Sequence, residues 1–312
     1  MPEAPTAPAV SNCPACDAPL PDASCIRGVD RLHGVAGEHD VVACDRCGSG
    51  ATEPPVAAGE LASLYPQAYG PYDAASGRLV GTLSAAIRWW QGRRALRRPP
   101  LASLREARAG SLVDVGCGRG DLAALFVRRG WRATGIEPST AAVAAAREQG
   151  VDARVGTLAD TPLEPGAYDA AIFQHSLEHT VEPLEDLERI RRALRPGGLV
   201  LITVPNFACW QRRRFAGRWY HLDLPRHRTH FSPAGLSAVL ERAGFDVLSI
   251  STSTSTVGLP ASIQYALVGR CLFPGGLALR VAAGLCVLAL PIARLLDRVG
   301  GGGDQLHAVA RA

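Results

Sequence analysis

The stretch LVDVGCGRGDL, residues 112–122, limits the possible folds of this chain more than any other segment. The apolar, β-branched run Ser111–Val115 predicts a short strand. Three glycines follow it at alternate positions: Gly116, Gly118 and Gly120. Apolar residues at helical spacing then predict a helix over residues 121–129. A strand, a glycine loop and a helix in this order open a doubly wound α/β sheet, which binds ligands at the carboxyl ends of its strands.

The spacing of the glycines discriminates between cofactors. In a dinucleotide-binding loop the third glycine comes one position later, and a nucleotide-phosphate loop needs a lysine, which this sequence lacks. Asp121 stands at the start of the helix, where it would repel a pyrophosphate. The remaining common ligand is S-adenosylmethionine, a nucleoside without phosphates, and Asp114 can accept a hydrogen bond from its ammonium group.

The following segments extend the same pattern. The second strand lies within residues 132–139 and reaches Glu137, a carboxylate placed to accept both ribose hydroxyls of a nucleoside. Glu137 would repel the 2′-phosphate of NADP, but it does not by itself exclude NAD. A third unit follows at 151–163, and a fourth strand within 168–179 directs its end into the same crevice.

Residues 111–206 resemble class I S-adenosylmethionine-dependent methyltransferases. The matching segments are VDVGCGRG, GIEPS, GTLADTPL, YDAAIFQHSLEH and LRPGGLVLITVPN, and the match continues through 224–245 to 304–312. The resemblance implies an α/β fold with a Rossmann-like, seven-stranded mixed sheet whose last strand is antiparallel. It implies S-adenosylmethionine as cofactor, with these candidate binding residues: Asp114, Gly116, Gly118, Gly120, Glu137, Leu158, Ala159 and Gln174.

Four cysteines near the amino end form two Cys-x-x-Cys pairs: Cys13 with Cys16, and Cys44 with Cys47. Four thiolates make the closed tetrahedral shell of a structural zinc ion, with no ligand position left open for chemistry. Cys25 lies between the pairs, but its spacing does not fit. The alternative is that these cysteines are unligated or redox-active.

This cysteine segment resembles the zinc ribbon of small-molecule methyltransferases, including the sugar C-methyltransferases. That resemblance places His227 at their proposed base and His179 at an active-site histidine, with His175 nearby as a third candidate. An acid precedes the base in those enzymes, whereas Arg226 precedes His227 here. Arg226 and Arg228 therefore predict an anionic group on the acceptor.

His230 precedes a predicted helix start and is interpreted as a hydrogen-bonded loop residue.

The segment HSLEH, residues 175–179, also fits a zinc-peptidase pattern, but that pattern must lie within a helix to bring its ligands together. Here it lies where a strand ends, which argues against a peptidase.

We predict three regions: a zinc ribbon over 1–55, a linker and helical cap over 56–110, and a methyltransferase domain over 111–312. An apolar helical insertion occupies 255–300, before the last strand. Its longest uncharged run, Val281–Ala293, is shorter than the roughly 20 residues of a membrane span. The segment 257–299 is then either a helical pair that caps the site or forms a dimer face, or a hairpin that lies in a membrane interface.

Composition restricts the partners. The net charge of +4 is too small to argue for a nucleic-acid partner, and the basic residues are all arginine. The first 25 residues lack the pattern of a signal peptide, so we expect a cytoplasmic protein, with peripheral membrane contact through 257–299 as an alternative. The expected function is methyl transfer to a sugar, lipid-linked or secondary-metabolite acceptor. The alternatives are a non-catalytic cofactor-binding module, a nucleic-acid-binding module and an NAD-dependent dehydrogenase.

Overall fold

The computed structural model describes residues 12–56, 64, 96–97, 99–105, 107–271 and 276–312, without side chains over 276–287. The first eleven residues and most of the predicted 56–110 linker and helical cap lie outside the described residues.

The strands, in chain order, are β1 (Ile26–Val29), β2 (Glu38–Ala43), β3 (Gly50–Glu53), β4 (Ser111–Val115), β5 (Arg132–Glu137), β6 (Asp152–Val155), β7 (Tyr168–Gln174), β8 (Leu194–Pro205), β9 (Thr229–His230), β10 (Asp246–Ser253) and β11 (Gln305–Arg311). The α-helices of the described residues are α1 (Asp121–Val127), α2 (Thr140–Glu148), α3 (Pro183–Ala193), α4 (Trp210–Phe215), α5 (Pro233–Arg242), α6 (Gly258–Val268) and α7 (Gly276–Val299).

The central sheet has seven strands in the order β10-β11-β8-β7-β4-β5-β6. The pairs among β4 to β8 are parallel, whereas β11 runs antiparallel between β8 and β10. This confirms the predicted mixed sheet with an antiparallel last strand. Every residue of β4 is buried, because helices cover both faces of its part of the sheet.

One predicted boundary differs from the structure. Helix α1 ends at Val127 rather than Arg129, because the chain turns tightly into Gly130, which has a φ of 86°. Strand β8 begins at Leu194 and includes the Pro-Gly-Gly segment of the matching stretch LRPGGLVLITVPN. The register between β7 and β8 shifts at this point.

The amino-terminal segment forms a second, smaller sheet with the order β1-β2-β3-β9. Its fourth strand, β9, belongs to the carboxyl-terminal half of the chain and pairs antiparallel with β3 through Gly50–His230 and Ala51–Thr229. The four predicted zinc ligands pack in the same buried cluster as Phe231 and Leu236, close to the start of α5. The ribbon is therefore packed against the larger domain through both a sheet and a core.

Helices α6 and α7 lie between β10 and β11, where the helical insertion was predicted. They contact each other and form the helical insertion expected before the last strand. Within the part of the chain that the structure describes, neither helix is both long and apolar enough to cross a membrane.

Candidate functional site

The glycine loop between β4 and α1 is shaped by its three glycines. All of them have positive φ angles, which favour glycine over residues with a Cβ. A Cβ on Gly116 would lie 2.5 Å from the Cβ of Ser176, and one on Gly120 would lie 2.8 Å from the Cβ of Ala146. A Cβ on Gly118 would meet nothing within 4 Å. Two glycines therefore permit close packing, while Gly118 faces open space where a ligand can approach the backbone.

Glu137 ends β5 beside this loop and is almost fully buried. Its carboxylate accepts the N–H of Gly118 at 3.0 Å and the N–H of Ser139 at 2.9 Å. Each carboxylate oxygen has a second lone pair, which leaves acceptor capacity for two ribose hydroxyls. The same side chain thus holds the glycine loop and the start of the segment after β5.

Asp114 lies inside β4, directly before the loop, and is 1% exposed. Its Oδ1 atom is buried and accepts no hydrogen bond from the described residues. Burial, and then the nearby charge of Glu137, raise the pKa of Asp114 to about 7. A buried carboxylate oxygen without a partner costs free energy, and the ammonium group of S-adenosylmethionine would remove that cost.

The other predicted cofactor residues lie at the same edge of the sheet. Leu158 is buried and Ala159 is exposed, in the turn that follows β6. The turn is tied to β5, because the N–H of Gly156 donates to the carbonyl of Glu137 at 3.1 Å. Gln174 is half-buried at the carboxyl end of β7. The structure brings all of these positions to the carboxyl ends of neighbouring strands, as expected for this fold.

A histidine segment begins where β7 ends, directly against the glycine loop. Ser176 donates a hydrogen bond to the carbonyl of Val115 at 2.5 Å and packs on Gly116. The segment forms a short 3₁₀ turn over Leu177–His179 rather than a longer helix. The HSLEH pattern therefore lacks the helical context of a zinc peptidase.

His179 and His227 face each other with ring centroids 4.6 Å apart. The Nδ1 atom of His179 lies 3.1 Å from the carbonyl of Arg226, and the Nδ1 atom of His227 lies 2.9 Å from the carbonyl of His221. Since a carbonyl only accepts, both Nδ1 atoms carry a proton, and neutral His227 then has its lone pair on Nε2. Burial, and then the neighbouring His179, lower the pKa of His227 well below its usual value. Its neutral form is the one that can accept a proton.

A buried carboxylate stands beside these rings. Glu178 is 1% exposed, and neither of its side-chain oxygens accepts a hydrogen bond from the described residues. Its Oε1 atom lies 3.4 Å from Nδ1 of His175 and 3.9 Å from Nε2 of His227. Ligand atoms of Glu178, His179 and His227 lie within 4.8 Å of one another, so this group could also hold a metal ion.

The loop after β8 supplies a further acid that sequence reasoning did not single out. Asp223 lies 3.7 Å from Nε2 of His227 through its Oδ2 atom. It is half-buried. Burial raises the pKa of Asp223, but the charge of Arg226 and its hydrogen bonds contribute to a net lowering. Its position four residues before His227 in HLDLPRH is the signal that could have identified it.

His175 and His230 occupy different surroundings. His175 has a φ of 55° and approaches the side-chain amide of Gln305 at 3.2 Å. His230 is buried in β9, where its Nε2 atom lies 2.9 Å from the hydroxyl of Thr52, and burial lowers its pKa to about 3. That hydrogen bond agrees with the interpretation of His230 as a loop-positioning residue.

The prediction that Arg226 binds an anionic acceptor is wrong. Arg226 is fully buried, and its guanidinium donates to Asp30 at 2.8 Å and to Asp223 at 3.1 Å. Arg228 donates to the backbone carbonyl of Val56. Both arginines therefore bind groups of the protein itself, since β1 and the ribbon bring Asp30 and Val56 to the loop. Arg226 is therefore unavailable to an anionic acceptor, whereas Arg228 is half-buried and uses one N–H for Val56.

The four predicted zinc ligands come together as expected. The Sγ atoms of Cys13 and Cys47 are 3.6 Å apart, and those of Cys16 and Cys44 are 3.5 Å apart. A tetrahedral zinc ion with Zn–S bonds of about 2.3 Å requires sulfur separations of about 3.8 Å. All four cysteines are free thiols and buried, whereas Cys25 is exposed and outside the cluster. These residues fit a structural zinc ion.

Comparisons with known proteins agree with this architecture. A probable S-adenosylmethionine-dependent methyltransferase of Mycolicibacterium smegmatis is 34% identical over 139 residues, which are 44% of this chain and 52% of that protein. This chain thus spans about half the length of that relative. The ubiquinone biosynthesis O-methyltransferase of Pseudomonas aeruginosa is 31% identical over 188 residues, which are 53% of this chain and 81% of that protein.

Among solved structures, a geranyl diphosphate C-methyltransferase from Streptomyces coelicolor is 20% identical and covers 66% of this chain and 72% of its own, with a TM-score of 0.45. A family model for a methyltransferase domain matches residues 88–250. Because that match covers more than half of the sequence and includes the glycine loop, Glu137 and the histidine cluster, this chain belongs to the methyltransferase-domain family.

Proposed function

We propose that this protein transfers the methyl group of S-adenosylmethionine to a small-molecule acceptor of the sugar, lipid-linked or secondary-metabolite class. The observation that carries the proposal is the unpaired, buried Oδ1 atom of Asp114 beside the open backbone of Gly118. A cation would stabilise a buried carboxylate oxygen that accepts no hydrogen bond, and the ammonium group of S-adenosylmethionine would be that cation. The family membership and the spacing of the glycine loop support the same cofactor.

The residues of the site divide into two groups. Asp114 and Glu137 would hold the amino-acid and ribose parts of the cofactor, while Leu158 and Ala159 would line the adenine side. Gln174, at the end of β7, would contact the cofactor from the other side of β4. The cofactor supplies an electrophilic methyl group when it is bound. A nucleophile must then approach that carbon in line, so the acceptor has to lie near the glycine loop.

The histidine cluster would serve the acceptor. An acceptor hydroxyl or carbon acid must lose a proton, and the Nε2 lone pair of neutral His227 is suited to accept it. The imidazolium formed would be stabilised by Asp223 at 3.7 Å and by Glu178 at 3.9 Å. His179 and His175 would position the acceptor beside this base. Ser176 ties their segment to the glycine loop, which supports a common pocket.

The rival functions predict different ligands. A dehydrogenase would bind NAD, a nucleic-acid module would bind oligonucleotides with a steep salt dependence, and a non-catalytic module would bind the cofactor without turnover. In the described residues, Arg226 and Arg228 are occupied by protein groups, which removes two of the basic side chains that nucleic acid would need.

Calorimetric titration of the zinc-replete protein with S-adenosylmethionine, and with NAD in parallel, tests the proposal. We expect binding of S-adenosylmethionine alone, weakened about tenfold or more by Glu137→Gln, because a charged acceptor of ribose hydroxyls is lost. Glu148→Gln, at an exposed position of α2, is the matched control and should bind normally. Binding of NAD instead, or binding that is unaffected by Glu137→Gln, would contradict the assignment.

A further inference from the structure

The helix pair α6 and α7 carries most of the exposed large apolar side chains of the described residues. We call this the apolar surface, and its members are Ile263, Leu267 and Val268 on α6 and Leu288, Ile292, Leu295, Leu296 and Val299 on α7. Leu267 is 79% exposed, Leu288 74% and Val299 81%. Isolated exposed leucines are ordinary on protein surfaces, but eight exposed large apolar side chains on two consecutive helices that contact each other favour an interaction site.

The direction in which α7 faces is fixed by buried polar contacts. Asp297 is 3% exposed, and its Oδ1 atom accepts the indole N–H of Trp210 at 2.6 Å and the amide of Gln211 at 3.2 Å. Ala293, one turn earlier, is also buried. The helix therefore turns its aspartate toward the protein and its leucines toward the outside. Rotation to bury the leucines would break these hydrogen bonds and leave Asp297 without them.

The charges around the apolar surface have a single sign. The exposed ionisable side chains among the described residues of α6, α7 and the start of their connection are Arg270, Arg294 and Arg298. Asp297 is the one acidic residue there, and it faces inward. A two-fold contact between copies of this surface would bring arginines together without an exposed acid to pair them. Anionic lipid phosphates, in contrast, complement this charge.

We propose that the apolar surface binds in the interface of an anionic lipid bilayer. No helix among the described residues can span a membrane, so α6 and α7 would lie in the plane of the headgroups with their leucines in the acyl boundary. Arg294 and Arg298 are placed to reach lipid phosphates from the same helix.

Hydrogen bonds connect helix α6, which carries part of the apolar surface, to the histidine cluster. The hydroxyl of Ser262 on α6 accepts the N–H of Tyr220 at 3.0 Å. The next residue, His221, supplies the carbonyl that accepts Nδ1–H of His227. An acceptor with a lipid tail could thus be presented from the bilayer to the histidine cluster. This acceptor class, unlike the docking itself, rests on the proposed function.

Co-sedimentation with vesicles of phosphatidylcholine, with and without phosphatidylglycerol, tests the docking. We expect binding to the anionic vesicles that weakens as salt is raised. Leu288→Glu combined with Ile292→Glu should reduce the bound fraction about tenfold or more, because charged groups replace buried apolar area. Val155→Glu, at an exposed apolar position on β6, is the matched control and should bind like the parent.

Two further measurements separate the outcomes. Calorimetry with S-adenosylmethionine on the same proteins reports on the fold and the cofactor site, so loss of vesicle binding with intact cofactor binding locates the effect in the apolar surface. Sedimentation velocity without lipid detects a dimer. Absence of vesicle binding, or a dimer that Leu288→Glu dissociates, would overturn the docking proposal, whereas loss of cofactor binding in the parent protein would instead contradict the proposed function.

Discussion

At the scale of single residues, burial and a neighbouring carboxylate control the protonation of Asp114. Its carboxyl group is enclosed by β4 and lies near the charge of Glu137, and its pKa is raised to about 7. The cofactor's ammonium group favours the ionised form, so cofactor binding should lower that pKa and release a proton. The affinity for S-adenosylmethionine is therefore expected to depend on pH within the neutral range.

We predict that this affinity falls as the pH is lowered through about 7, approaching about tenfold per pH unit below that value. The sign follows because protonated Asp114 no longer attracts the ammonium group. Asp114→Asn should bind weakly and lose this dependence, while Asp121→Asn, at the exposed start of α1, should retain it. Calorimetry between pH 5.5 and 8.5 measures the effect, and an unchanged profile in Asp114→Asn would contradict the assignment.

His227 gives a second prediction at this scale. His227→Ala should lower methyl transfer about 10²–10⁴-fold with any acceptor that must lose a proton, because the base is removed. Affinity for S-adenosylmethionine should remain close to that of the parent protein. Release of S-adenosylhomocysteine from a panel of candidate acceptors measures the first quantity and calorimetry the second. Turnover at the parental rate would exclude His227 as the base.

At the scale of elements, an ion-pair network centred on the buried Arg226 holds the end of the connection between β8 and β9. Arg226 joins Asp30, which follows β1, to Asp223 beside His227. Burial raises the pKa of Asp30, but the hydrogen bonds from Arg226 outweigh it and lower that pKa to about 2. The network therefore connects the ribbon to the acceptor histidines.

Arg226→Ala should lower the free energy of unfolding by about 3–5 kcal/mol, since two carboxylates would remain buried without their partner. Arg154→Ala breaks an exposed pair with Asp152 and should cost less than about 1 kcal/mol. Urea denaturation of the three proteins measures the difference. Equal effects of the two substitutions would show that the Arg226 network does not stabilise the fold.

At the scale of the whole molecule, the ribbon and the larger domain share a sheet. The hydroxyl of Thr52 in β3 donates to the carbonyl of His227 at 2.6 Å, and β3 pairs with β9 directly beyond it. The glycine loop, in contrast, follows β4 and is held by Glu137 at the end of β5 and by Ser176 after β7. Loss of structure in the ribbon should therefore impair the histidine cluster more than it impairs cofactor binding.

Removal of zinc by a chelator, or by Cys44→Ser, should lower acceptor turnover by a larger factor than it lowers affinity for S-adenosylmethionine. Cys25→Ser, at an exposed cysteine outside the cluster, should change neither quantity. Zinc content by elemental analysis, expected at about one ion per chain for the parent, accompanies the two assays. Cofactor affinity that falls in parallel with turnover would indicate a general loss of the fold.

The sequence predicted those parts of the fold whose signals lie within one short segment. The strand, glycine loop and helix from Ser111 to Val127 were predictable because their periodicity and turn residues agree, and the two cysteine pairs because their spacing is specific. The pairing of β3 with β9 was not, since two residues at 229–230 carry no periodic signal. The role of Arg226 was missed because an arginine looks the same in a sequence whether its partner is a ligand or a distant aspartate such as Asp30.

The position of β11 has a consequence for how the protein is made. This strand is synthesised after all the other strands, yet it lies between β8 and β10 rather than at the edge of the sheet. Until β11 leaves the ribosome, one edge of β8 is unpaired and apolar. Such edges promote association with other chains. The central sheet can therefore close only after residues 305–311 have been translated, and nascent chains that stop short of residue 305 would be prone to aggregate.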